Sequence, residues 1–342
     1  MKKLLSISLC LCMLIGWALS TSAISSNVLI KETLPIESTA ENSINIITKD
    51  MVTGEVEYSA VCYQPKATLY ADGTIGKIQP GWFPSTETFA LEDNNEVTAP
   101  YMDNSISMLN DEDRPDPRGD GVIGNDDREI ISNTKEYPYS AICYLETVWP
   151  NSTTTIGTAW MFGSKVAATA GHNLYSSDRG GWADNVTIWP GKKGNGLFSN
   201  HFGKAQKVSM MADPYVNNDQ SFDYDWGMIE LDKSLGDKTG WFGYSWIQND
   251  IEECVLTISG YPSDHQYYQL KMSGPVVNVT TTQFRFYMDA TSGQSGSPLY
   301  TSNYSVYGIF VATQSSKYGD EEINVASRIN AEVYYYLSHF LN

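Results

Sequence analysis

Between residues 121 and 342 the chain is punctuated rather than periodic. Apolar runs of about four to eight residues, YSAICYLE, IGTAWMF and KVAAT among them, recur between clusters of Gly, Asn, Asp and Ser and seldom carry a helical period. Runs this short bury too little surface singly, so they must share a core in closed or stacked antiparallel sheets, and an all-β fold is expected. The spacing predicts strands over residues 139–146, 156–162, 165–169, 186–189, 226–231, 254–259, 267–272, 284–288 and 306–312. One helix is expected, over 330–341. There Asn330 can cap, and Val333, Tyr336, Leu337 and Phe340 fall on one face.

The chain ahead of residue 121 differs. Lys2 and Lys3 precede an apolar run from Leu4 to Leu19 and a small-residue stretch, Ser20-Thr21-Ser22-Ala23, which together read as a signal peptide over 1–23, cut after Ala23. A secreted, extracellular protein with no membrane segment in its mature form is expected. Residues 24–120 are strongly acidic and end in NDEDRPDPRGDG, whose Pro, Gly and charge suit a linker or processing site. The cuts favoured there are Arg118-Gly119 and Asp120-Gly121, with Gly121 as the preferred new N-terminus.

The formal net charge of −18, from 40 acidic and 22 basic residues, argues against a nucleic-acid partner, since binding to phosphates is driven by cations. Cys10 and Cys12 leave with the signal and Cys62 with the next segment. Cys143 and Cys254 remain and are read as two buried free thiols. With no C-x-x-C or H-E-x-x-H, neither a metal nor another cofactor is expected. GKKGNG at 191–196 lacks the end of a phosphate loop and reads as a hairpin turn at Asn195-Gly196.

Three features could carry chemistry. His172 follows the apolar run KVAATAG, at the end of a buried strand; taken alone it reads more readily as a hydrogen-bonded structural histidine. In FDYDWGMIEL an acid leads straight into an apolar strand. Asp225, beside the space left by Gly227, suits the orientation of an imidazole better than Asp223, which reads as a strand cap. In SGQSGSPLY, glycines flank Ser295, a candidate nucleophile, and its N–H with that of Gly293 could face a developing oxyanion. Ser297, already entering the next strand, is the weaker candidate.

The order His172, Asp225, Ser295 joins these signals, because it is the chain order of the trypsin-like arrangement on two β-barrels. From GVIGNDDREIISNTKEYPYSAI through TAGH, DYDWGMIEL, GWFGYSW, LTISGYP and GQSGSP, the chain resembles the bacterial glutamyl endopeptidases, secreted serine proteases of the trypsin-like class. The resemblance implies two six-stranded antiparallel β-barrels with a C-terminal helix. The first, 121–240, would carry His172 and Asp225; the second, 241–342, would carry Ser295. It also implies a propeptide over 24–120, peptide or protein substrates and that propeptide as partners, a monomer, and the roles of base, orienting acid and nucleophile for the three residues.

Departures fall near the substrate pocket. Asn173 stands where some members carry a cysteine, Phe310 where members have a histidine that pairs with an acidic substrate side chain, and Ala290 where they have threonine. Asp289, six residues before Ser295, holds the position from which trypsin-like enzymes attract Lys or Arg. Thr291, Ser292, Thr313 and the amine freed at Gly121 are the other groups expected around the pocket. Cleavage after Glu or Asp therefore stands beside cleavage after Lys/Arg or an apolar residue, and beside a non-catalytic extracellular binding protein on the same fold.

Overall fold

The computed structural model describes residues 121–194, 201–247, 254–315 and 322–341, together with residues 81–82 and five strand segments ahead of them. Those are β1 (Ile30–Pro35), β2 (Asn42–Lys49), β3 (Val56–Tyr63), β4 (Lys66–Tyr70) and β5 (Ile75–Gln79). The expected signal peptide, the linker cuts before Gly121 and the turn at Asn195-Gly196 lie outside the described residues. After a short β6 (Glu129–Ile130) come β7 (Ile142–Val148), β8 (Thr154–Met161) and β9 (Val166–Thr169), then a small hairpin of β10 (Tyr175–Ser176) and β11 (Gly181–Trp182). Next are β12 (Asn185–Pro190), β13 (Ala205–Met211) and β14 (Gly227–Leu231). β7 to β9 and β12 to β14 form two antiparallel meanders, and the pairs β9–β14 and β7–β12 close them into a six-stranded barrel.

A second closed ring follows from β16 (Val255–Gly260), β17 (Leu270–Val279), β18 (Gln283–Phe286), β19 (Pro298–Tyr300), β20 (Ser305–Ser315) and β21 (Glu322–Arg328). The order β19-β16-β17-β18-β21-β20 closes through β19–β20. Between the barrels, β15 (Gly243–Ile247) lies parallel to the start of β20. Two short helical turns, α1 (Asp213–Asn217) and α2 (Gly236–Thr239), precede the terminal α3 (Ala331–Phe340).

The Asn330 side chain caps α3, accepting the Val333 N–H at 3.0 Å. The apolar face of α3 buries Val333, Tyr336 and Leu337. Its Tyr336 ring meets Trp226 at 4.9 Å and its Tyr334 ring meets Tyr244 at 5.1 Å, so the helix braces the entry to β14 from outside.

Besides the two-residue β6, β10 and β11 and the five upstream strands, β13, β15 and β21 have no expected counterpart, for reasons visible in their side chains. β13 turns Lys207 and Ser209 inward, the Lys207 ammonium donating to Ala183 O, which breaks the apolar pattern. β21 buries Asn324, and β15 places Ser245 in the interior, bonded to Ser305. The strand expected from Tyr267 begins instead at Leu270, because Gln266 and Tyr267 have positive φ and turn the chain; it then continues to Val279. Residues 121–131 run along the second barrel, β6 pairing with β17.

Candidate active site

His172 and Asp225 meet because their strands pair. β9 ends at Thr169 opposite Gly227 of β14, so the turn after one strand and the residue before the other share an edge. Asp225 is fully buried, and His172 uses both of its oxygens. The His172 backbone N–H donates to Oδ1 at 2.8 Å, and Nδ1 lies 2.7 Å from Oδ2. With Nδ1 held this way, Nε2 is free to exchange a proton. Burial opposes a charged imidazole, but the Asp225 charge and hydrogen bond outweigh it and raise the His172 pKa above its ordinary value. The His172 side chain remains 28% exposed, so the ring is reachable. Asp223 serves the fold instead: its Oδ1 accepts from Thr282 Oγ1 at 2.6 Å and Gln283 Nε2 at 2.8 Å, joining the barrels.

Ser295 lies on the loop between β18 and β19, and the first barrel holds that loop. Its carbonyl accepts the Thr158 N–H at 2.8 Å and Asn173 Nδ2 at 2.9 Å, while Thr158 Oγ1 donates to Gly293 O at 2.9 Å. Asn173 follows His172 directly, so it ties the two candidate reacting loops to each other without a covalent bridge. Gly296 has φ +93°, and a Cβ there would fall 2.0 Å from Thr158 O, so no larger residue fits the crossing. The N–H groups of Gln294, Gly296 and Ser297 go to Thr291 O, Phe310 O and Gln294 O. Among the described residues, the N–H groups of Gly293 and Ser295 have no such acceptor. Ser297 is fully buried and unavailable to a substrate.

Of the residues expected to line the pocket, the structure brings Ala290, Thr313 and Gly121 together around Asn324 and gives the others different partners. Phe310 is 3% exposed and packs on Phe286, ring centroids 6.2 Å apart, inside the second barrel; its side chain belongs to the core. Asp289 is buried, and both its oxygens are taken by the N-terminal segment, Ile123 N–H at 2.8 Å and Asp127 N–H at 3.0 Å. It holds backbone rather than awaiting a Lys or Arg. Ala290 is buried in the same core, its N–H on Gly121 O at 3.0 Å. Thr313 Oγ1 donates to Asn324 Oδ1 at 2.7 Å, and Asn324 Nδ2 donates to Gly121 O at 2.8 Å. Ser292 is exposed.

Arg128 went unremarked in the sequence, because its role depends on partners about 140 to 170 residues away. Its side chain is 1% exposed and ion-paired with Asp126 and Asp264. From there it donates to Thr291 Oγ1 and Gln294 Oε1, each at 3.0 Å. Burial alone would lower its pKa; the two carboxylates raise it. Asp126, also bonded by His265, is held well below the usual carboxylate range despite its burial. Arg128 thus clamps the loop leading to Gly293 and Ser295. Arg128→Met is expected to lower stability by about 3 kcal/mol, the low end for breaking a buried pair since Asp264 is partly exposed, and to lower kcat. Thermal unfolding and steady-state kinetics check this; an unchanged melting temperature would refute the clamp.

Cys143 and Cys254 are both free; Cys143 is buried as expected, whereas Cys254 is only half-buried, and burial pushes both pKa values up.

The trypsin family's sequence profile matches residues 130–336. A glutamyl endopeptidase of Bacillus licheniformis is 34% identical over 229 residues, covering 65% of this chain and 69% of its own. An extracellular metalloprotease of Bacillus subtilis is 29% identical over 225 residues, covering 65% and 70%. The solved structure of a Glu endopeptidase in complex with MPD superposes with a TM-score of 0.56 at 24% identity, over 64% of this chain and 99% of that one.

The name of the second relative implies a metal. Among the described residues the one group of three ligand-type side chains is Asp126, Asp264 and His265. The Arg128 guanidinium donates to both of those carboxylates, a place a metal cation could not share, so this group does not fit one. With the profile spanning more than half of its length and both barrels closed, the chain belongs to the trypsin family, as a serine endopeptidase similar to the bacterial glutamyl endopeptidases.

Proposed function

We propose that the protein is a secreted endopeptidase, made as a zymogen, that cleaves peptide bonds by acyl transfer through Ser295, His172 and Asp225. The observation that carries the reading is the two-point grip of buried Asp225 on His172, which fixes the ring with Nε2 outward. Ser295 Oγ attacks the substrate carbonyl while His172 Nε2 takes its proton. The N–H groups of Gly293 and Ser295 receive the oxyanion. His172 then protonates the leaving amine, and water, activated by the same imidazole, releases the acid from the acyl-enzyme.

A serine-directed phosphonate tests the assignment. Peptide mapping of the labelled protein is expected to find the adduct on Ser295, and an adduct elsewhere would refute it. The pH profile offers a second check. His172 must be neutral to act as base, and its pKa is raised, so kcat/KM is expected to fall with acid at a midpoint above ~6.5. A midpoint below that value would contradict the Asp225 contribution.

For the residue before the cut we propose Glu or Asp, with the amine freed at Gly121 as the pairing cation. Neither Phe310, buried in the core, nor Asp289, bonded to backbone, supports an apolar or a Lys/Arg preference. In the uncut chain the Gly121 N–H already points to a carboxylate, Glu322 Oε2 at 3.4 Å. Digestion of a peptide library by the processed enzyme checks the preference, and cuts with no enrichment of Glu or Asp would overturn it while leaving the acyl-transfer assignment standing.

A further inference from the structure

The segment expected to be removed makes a specific attachment to the part expected to remain. β5 lies antiparallel along β15, pairing Gln79 with Tyr244, Ile78 with Ser245, Lys77 with Trp246 and Gly76 with Ile247. The opposite edge of β15 pairs with β20 over only Gly243 and Tyr244. Without β5, most of β15 would therefore be an edge strand with unpaired N–H and C=O groups, a ready template for another strand.

The pairing extends past β5. Trp82 N–H donates to Trp241 O at 2.9 Å and Trp241 N–H returns to Trp82 O at 2.6 Å, while the two indoles stack with centroids 4.7 Å apart. Gly81 between them is in close contact: a Cβ there would lie 2.4 Å from Gly243 N and 2.6 Å from Trp241 O. Sequence and backbone agree at this point, since only glycine allows the two chains to approach so closely. β5 is itself backed by β4, so it arrives as part of a small sheet rather than as a lone peptide.

We propose that residues 241–247 form a strand-addition site whose occupant is this chain's own segment 75–82, and that the segment stays bound there after the chain is cut ahead of Gly121. The processed protein is then a two-piece, non-covalent complex. Backbone pairing supplies affinity, while Gly81 and Trp82 supply register and selectivity, as in other cases where an extended peptide completes a sheet edge. Apart from the pairing with β4, the contacts described for residues 75–82 are with 241–247 and do not include His172, Asp225 or Ser295.

The inference rests on the reading that residues 24–120 are cut away, and the test separates the two. Whether natural processing occurs is settled by N-terminal sequencing of wild-type secreted protein; an active form still carrying Cys62 on the same polypeptide would refute the zymogen reading alone. For retention, a site for a foreign sequence-specific protease is placed within residues 83–117 of the full chain in a Ser295→Ala background, cut, and passed through gel filtration at micromolar concentration. The upstream fragment is expected to co-elute with the 121–342 body. Gly81→Leu is expected to weaken its retention at least tenfold and Trp82→Ala to weaken it measurably.

Should the Gly81→Leu precursor fail to fold, synthetic peptides spanning residues 66–82, with and without that change, are used to displace a dye-labelled upstream fragment from the cut protein. The unchanged peptide is expected to compete and the Leu peptide not to. Immediate separation of the wild-type fragment, or equal competition by both peptides, overturns the proposal.

Discussion

Ser295→Ala is expected to lower kcat by about 10⁶-fold, since the members of a nucleophile–base pair act as a unit and losing either costs nearly as much as losing all. What survives, roughly 10³- to 10⁴-fold over water, comes from the oxyanion donors and substrate binding. The donors are expected to persist, because they are main-chain N–H groups. Gly293 and Ser295 are positioned by Thr158 and Asn173 acting on carbonyls, which an alanine at 295 leaves in place. Rates on a chromogenic peptide and phosphonate labelling check this together, and residual activity within about a hundredfold of wild type would exclude Ser295 as nucleophile.

The second large effect is expected from Asp225→Asn, about 10⁴-fold in kcat near neutral pH. The geometry explains why so small a change does so much. One carboxylate oxygen accepts the His172 backbone N–H and the other faces Nδ1 at 2.7 Å. An asparagine can keep the first bond only by turning its NH₂ toward the ring, where it donates to Nδ1 and forces the proton onto Nε2. The imidazole then presents a donor to Ser295 where an acceptor is needed. Nitrogen NMR of the ring should report the switched tautomer in a folded protein, and a loss below tenfold would mean that Asp225 does not orient His172.

The sequence announced the parts of the site that are local and withheld the parts that are not. KVAATAG, DYDWGMIEL and SGQSGSP each place a polar residue at the end of an apolar or glycine-bounded run; β9 and β14 pair at theirs, and Asn173 bonds the Ser295 carbonyl to the same edge. Asp225 is preferred to Asp223 from sequence because Gly227 leaves space beside it. By contrast, the surroundings of Phe310 and Asp289 depend on side-chain directions that spacing does not give. A residue in β20 faces either the core or the substrate side, and Phe310 is turned to the core by Phe286. Asp289 is captured by Ile123 and Asp127, more than 160 positions upstream, a contact no window of sequence could contain. The inward polar groups Lys207 and Asn324 hid β13 and β21 in the same way, because each answers to a distant carbonyl.

The segment 121–131 also bears on the order in which the molecule can be built. It is the first part of the catalytic body to leave any translocating or synthesising machinery, yet Asp289, Thr291 and Gln294, which receive it, come near the end. Its earlier partners, Asp264, His265 and the start of β17, also come after the whole first barrel, so it must wait until that barrel has emerged. Closing a loop of that length carries a large entropic cost before any contact offsets it, and such non-local closures slow folding. Competence at Ser295 is thereby deferred to the last joining event. A chain interrupted between residues 232 and 289 has its histidine and aspartate but lacks the serine and the loop that carries it.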